Sequence, residues 1–137
     1  FTVLGDGEIQ EGQVWEAAMF ASAKGLDNLV AVVDNNGLQI DGKISEVNSP
    51  YPIAEKFKSF GWNVIEICAH SFDEIDAAFS AAAEFKGKPS VIVANSVKGK
   101  GVSFMEDQVS WHGTAPNAEQ YEQAMSELAA ALAELEA

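Results

Sequence analysis

Arginine is absent. All eight basic residues of this 137-residue chain are lysines, set against 21 acidic ones for a formal net charge of −13. So negative a chain repels nucleic acid, and it lacks the planar guanidinium fork that clamps a phosphate bidentately. Any phosphate on a substrate is therefore expected to be held by another polypeptide. Cysteine is almost absent too. The single Cys68 excludes an internal disulfide, and its place in the apolar run "NVIEICA" predicts a buried, reduced thiol in a cytoplasmic protein. No apolar run approaches the roughly 18 residues that suggest a membrane span, and no charged-then-apolar leader opens the chain. The first residues instead read as part of a strand, as expected of a fragment or a split gene product. Nucleotide motifs are missing as well: "GKGV" around Lys100 lacks the Gly-x4-Gly-Lys-Ser/Thr pattern, and no Gly-x-Gly-x-x-Gly opens a helix.

What is present is an alternation. With 47% apolar residues the chain can build one globular core. "FTVLGD" predicts a strand and "GQVWEAAMFASAK" a helix stopped by Gly25. The β-branched "LVAVVD" predicts a second strand. Pro52 starts a helix over "PIAEKFKSF" that Gly61 ends. "WNVIEI" is the next strand, and Ser71 with Glu74 forms a capping-box pattern before "FDEIDAAFSAAAEF". "SVIVANS" is a fourth strand, and "NAEQYEQAMSELAAALAELEA" a long terminal helix with Asn117 and Gln120 as its cap pair, its Ala/Glu end extending into solvent. Continuous apolar strands between helices predict an α/β fold: a mostly parallel sheet with helices on both faces, in one domain over residues 1–137.

In such a sheet, ligands collect at the carboxyl ends of the strands. Asp6, flanked by Gly5 and Gly7, ends the first strand, and Asn35-Asn36 ends the second. Both are expected at one edge, beside the N-terminus of the helix that begins near Gly12, which favours an anion. A carboxylate and an amide oxygen at a tight turn suit a hard divalent cation shared with diphosphate oxygens. Either tripeptide by itself is ordinary turn chemistry; the pairing at adjacent strand ends makes it a candidate site. The helix over residues 13–24 is apolar nearly all round, so one face is expected to be covered by a partner. His70, in "AHSFDE", reads as structural or exposed.

Gly5-Asp6-Gly7 and Asn35-Asn36, separated by residues 8–34, resemble the thiamine diphosphate binding motif. Within that superfamily, "GDGEIQEGQVWEAAMFASAKGLDNLVAVVDNNGLQIDG", "KGKGV" and "SWHGTAPNAEQYEQA" resemble the cofactor-binding domain of transketolases, most of all the N-terminal subunit of the split type, shortened at its N-terminus. The resemblance implies that Asp6 and Asn36 ligate Mg2+ or Ca2+ through their side chains and Leu38 through its carbonyl. Gly7 would contact the diphosphate and Ile40 the thiazolium ring. Glu11 and Glu16 would connect cofactor sites at a subunit contact, and His112 would reach toward the reacting centre. Lys98 or Lys100 could meet the diphosphate. The implied reaction is transfer of a two-carbon ketol unit from a ketose phosphate to an aldose phosphate, in the pentose phosphate pathway. The pyrimidine-activating glutamate and the phosphate-binding arginines would come from a pyrimidine-binding partner chain, in a homodimer or heterotetramer. Two alternatives stand beside this one: an α-type subunit of a 2-oxo acid dehydrogenase, which shares "GDG" and "NN", and a non-catalytic cofactor-binding or assembly module. "LQIDG" and "SWHGTAP" fit transketolases better.

Overall fold

A computed structural model describes residues 1–136. Its strands and helices follow the alternation in order. β1 (Thr2–Gly5) leads through a 3-10 turn at Glu8–Gln10 into α1 (Gly12–Ala23) and β2 (Val30–Asn35). A hairpin of β3 (Leu38–Gln39) and β4 (Gly42–Lys43) follows, then the short α2 (Ile44–Val47) and α3 (Ile53–Ser59). β5 (Asn63–Cys68), α4 (Phe72–Glu84), β6 (Ser90–Asn95) and α5 (Ala118–Leu135) complete the chain. The sheet is all parallel, in the order β1-β2-β6-β5.

That order decides which faces the helices cover. From β1 to β2 and on to β5 the chain moves one way across the sheet, and from β5 to β6 it moves back. Right-handed crossovers then place α1 and α3 on one face and α4 on the other. Two core clusters match this division. Ile9, Ala18, Ala21, Phe57, Trp62 and Val91 pack on the α1/α3 face, and Val30, Ile67, Ala78, Ala82 and Ile92 pack beneath α4. β6 lies between β2 and β5 and is buried from Ser90 to Ala94, which is why its sequence shows no alternation.

α1 is locked to α3 by aromatic residues. Trp15 lies 5.1 Å from Phe57 and stacks on Phe60 at 5.4 Å, while Phe57 meets Trp62 edge-on at 5.4 Å. Both indole N–H groups find carbonyls: Trp15 donates to Ile9 at 2.8 Å and Trp62 to Ala18 at 2.9 Å. A buried indole needs such a partner, so this contact fixes the helices laterally as well as holding them together.

The helix ends follow the expected signals. Gly25 and Gly61 adopt positive φ just after α1 and α3, and Asn117 with Gln120 forms a full capping box on α5. The second capping box is only half made. Ser71 accepts from the Glu74 amide, but the Glu74 carboxylate accepts from the Cys68 amide at 2.8 Å instead of returning to Ser71. A second expectation is corrected here: Cys68 is exposed, not buried. It ends the edge strand β5, where Ile67 takes the α4 face and Cys68 points to the other, past the cover of α3. From Ala129 to Glu136, α5 runs exposed, as its composition predicts. Among the described residues, no helix is long and apolar enough to cross a membrane.

Candidate functional site

The in-register ladders bring three strand ends to one edge. Gly5 pairs with Asp34, and Asn35 with Asn95, so the residues that follow each strand converge. The ladder runs one bond further on each side, with the Asp6 amide donating to the Asp34 carbonyl at 3.1 Å and the Ser96 amide to the Asn35 carbonyl at 3.2 Å. Over this edge opens a cleft of about 480 Å³, lined among others by Asp6, Gly7, Asn36, Leu38, Ile40, Lys98 and His112.

Asp6 is the centre of the site. Its side chain is buried, at 1% exposure, yet its carboxylate is not left bare. The Gly7 amide donates to Oδ1 at 2.9 Å and the Gly37 amide to Oδ2 at 2.6 Å. Burial pushes its carboxyl above the ordinary 3.8; the two amides pull it back, and the nearby Asp34 adds to the rise. Gly37 reaches this position at φ +76°, a left-handed conformation that suits glycine. Gly7 fits for a different reason: a Cβ there would stand 3.2 Å from the Gln39 Cβ, a tight contact that the hairpin side chain would have to relieve. Gln39 in turn accepts from Gln10 at 2.6 Å, tying the hairpin to the 3-10 turn.

Asn36 folds back on its own loop. Its Oδ1 accepts from the Leu38 amide at 3.0 Å and its Nδ2 donates to Asp34 Oδ2 at 3.3 Å. Ser96, just beyond β6, donates its hydroxyl to Asp34 Oδ1. On the neighbouring register, Tyr51 donates to Asn35 Oδ1 at 2.9 Å and Asn35 to Asn95 Oδ1 at 2.8 Å. Burial, and then the charge of Asp6, raise the Tyr51 phenol above its ordinary value, so it stays a donor.

Lys98 and His112 also line this cleft. Lys98 lines the cleft, whereas Lys100 is drawn off to Glu106 at 3.2 Å. The Lys98 carbonyl accepts from the Asp107 amide at 3.0 Å, and the Trp111 indole bonds the Phe104 carbonyl at 3.0 Å; these contacts fold the 97–112 segment back over the edge. His70 contributes to the same segment by accepting from the Val97 amide at 2.8 Å, so it is a structural residue, as expected.

Of the site residues anticipated from sequence, Asp6, Gly7, Asn36, Leu38, Ile40 and His112 all line the cleft. Ile40 does so from the hairpin loop, with 69% of its surface exposed. Glu11 and Glu16 do not line it. Glu11 occupies the N-cap position of α1 without capping through its side chain, and Glu16 projects from the exposed side of that helix. The start of α1 is also set back from the cleft, because the 3-10 turn Glu8–Gln10 intervenes and the lining of this segment ends at Glu8. Sequence reasoning missed Asp34, Ser96, Tyr51 and Gln39. Asp34 stands just before the Asn35-Asn36 pair and Ser96 ends "ANS" at the third strand end, and only the register of β2 with β6 brings the two together.

The donor set bears on what could bind. Asp6 offers a carboxylate, Asn36 a carboxamide oxygen and Leu38 a carbonyl, all hard oxygen donors suited to Mg2+ or Ca2+ and unsuited to softer metals. Among the described residues no cluster of three or more His, Cys, Asp or Glu side chains could hold a metal. A cation here would thus rest on one full charge and neutral oxygens, with positions left for oxygens of a diphosphate. The residues fit such a group.

A parallel sheet with both faces covered, and a glycine-lined acidic cleft at its carboxyl edge, defines an α/β cofactor-binding domain. Residues 1–133 match the transketolase, thiamine diphosphate binding domain family. The chain belongs to that family. It is similar to the 6-deoxy-6-sulfo-D-fructose transketolase subunit of Clostridium sp. (strain MSTE9), with 45% identity over 93% of this chain and 46% of that protein. One of the apulose-4-phosphate transketolase subunits of Phocaeicola vulgatus is 40% identical over 99% of this chain and 48% of its own length. The chain therefore spans just under half the length of these curated relatives. Among solved structures, transketolase from Campylobacter jejuni superposes with a TM-score of 0.87 and 28% identity, over 93% of this chain and 20% of that one.

Proposed function

We propose that this chain anchors thiamine diphosphate through Mg2+ or Ca2+ as part of a transketolase that moves a two-carbon ketol unit from a ketose phosphate to an aldose phosphate. The observation that carries the reading is the convergence of Asp6, Asn36 and Leu38 in one cleft that Lys98 and His112 also line. Asp6 and Asn36 would ligate the metal through side-chain oxygens and Leu38 through its carbonyl. Gly7, with no Cβ to hold the diphosphate away, would meet it through its amide. When bound, the cofactor supplies a nucleophilic thiazolium carbon.

The chain's own residues bind and orient. Ile40 offers an apolar surface beside the metal ligands, where it would exclude water from the ring. Lys98 would neutralise diphosphate charge, and His112 would hold or pass a proton at an imidazole nitrogen near the substrate oxygen. The absence of arginine supports a reading in which a pyrimidine-binding partner chain holds the substrate phosphate and its glutamate activates the aminopyrimidine. Glu16, exposed one turn from Met19 and Phe20 at 53% and 60% exposure, and Glu11, exposed at the start of α1, would lie at the contact with that partner in a homodimer or heterotetramer. Both subunit relatives are named for anionic sugars, one sulfonated and one phosphorylated, which supports a sugar substrate with a charged end.

The test mixes the full chain with a pyrimidine-binding chain, thiamine diphosphate and Mg2+. Consumption of a ketose phosphate that requires an aldose phosphate acceptor, both chains and an intact Asp6 is the expected result, with a larger mass for the mixture in light scattering. Consumption of a 2-oxo acid instead, or two monomers that stay apart, contradicts the reading.

A further inference from the structure

We propose that Asp34 and Ser96 form a positioning pair that sets which end of the Asn36 carboxamide faces the cleft. The inference rests on the reading of Asn36 as a metal ligand and adds two residues to it. A carboxamide presents an oxygen or an NH2 according to a half-turn about its last bond, and only the oxygen can ligate a cation. In this structure the choice is made by a chain of bonds across two strands. The Ser96 hydroxyl donates to Asp34 Oδ1, and Asp34 Oδ2 accepts from Asn36 Nδ2 at 3.3 Å. A carboxylate accepts only, so it holds the NH2 end and leaves Oδ1 on the other side, where the Leu38 amide takes one lone pair at 3.0 Å. The second lone pair of Oδ1 stays available in the cleft.

Two features separate this role from that of a further ligand. Both oxygens of Asp34 are already engaged, one by each partner. The pair is also anchored in the sheet, since Asp34 lies on β2 in register with Ala94 and the Ser96 amide bonds the Asn35 carbonyl. Orientation of a metal ligand by an outer hydrogen-bonded carboxylate is a general device, and its loss typically weakens metal binding by about 10- to 100-fold.

The experiment measures Mn2+ affinity of the full chain with thiamine diphosphate present, from the electron paramagnetic resonance signal of free Mn2+. Asp34→Asn should weaken Mn2+ about ten-fold or more, and Ser96→Ala by a smaller factor that Ser96→Thr restores. The double variant Asp34→Asn with Asn36→Asp should recover affinity, because an amide at 34 can donate to a carboxylate at 36. In the metal-free chain, the side-chain amide resonances of Asn36 should shift in Ser96→Ala at an unchanged melting temperature. If Asp34→Asn lowers the melting temperature, the Ser96 pair decides the matter. Wild-type affinity in Asp34→Asn and Ser96→Ala, alongside a weakened Asn36→Ala, overturns the positioning role and leaves the ligand reading intact. Wild-type affinity in Asn36→Ala overturns the ligand reading, and this inference with it.

Discussion

At the scale of single residues, the site depends on a buried carboxylate that remains usable. Asp6 sits between two backbone amides that lower the cost of its charge without removing it. The sign of the resulting pH dependence follows. With its folded value raised above 3.8, the metal-free folded state keeps a proton that the unfolded state has already lost. Across that window Asp6 therefore subtracts stability as pH rises, and its full penalty is present above the raised value. A cation held there would need the carboxylate, so its affinity would climb over the same window. Urea denaturation of the metal-free chain should show a component that declines upward from pH 3.8 and is missing in Asp6→Ala; an identical pH profile in the two proteins would contradict this. The residues legible in the sequence were those that sit beside glycine at a strand end, such as Asp6, or double a polar residue there, such as Asn36. Asp34 and Ser96 were not legible, because their pairing exists only once β2 and β6 are in register.

At the scale of elements, periodicity and capping signals located every long helix and every strand of the main sheet. The hairpin β3–β4 escaped because two-residue strands carry no period, yet it is the hairpin that brings Leu38 and Ile40 to the cleft. The capping box at Ser71 was half right for a related reason. The Ser71 amide is already bonded to the Cys68 carbonyl at 3.2 Å, and the Glu74 carboxylate accepts from the Cys68 amide at a strand edge that local sequence does not reveal. The aromatic lock joins α1 to α3 on one face of the sheet. Trp62→Phe removes the buried bond to the Ala18 carbonyl while keeping an aromatic ring, and should cost about 1–2 kcal/mol. A lower urea midpoint with an unchanged m-value is the expected reading, and an unchanged midpoint would show that the bond contributes nothing net.

At the scale of the whole molecule, the chain is a cofactor-binding domain of the transketolase family with an exposed flank. α1 presents Met19 and Phe20 to solvent, as do Val3 on the edge strand β1 and Phe1 just before it. Its charge is −13, with no arginine among its basic residues. The alternation of apolar strands and helices was readable before any geometry was known, whereas the exposure of Cys68 depended on which strand became the sheet's edge. The central claim is that the cleft over Asp6 anchors thiamine diphosphate through a divalent cation. Calorimetric titration of thiamine diphosphate into the full chain with its partner tests it most directly, in Mg2+, in EDTA, and with Asp6→Ala. Binding that needs Mg2+ and disappears in the variant is the predicted result. Binding indifferent to EDTA and to the loss of Asp6, or no binding in any arm, would contradict it.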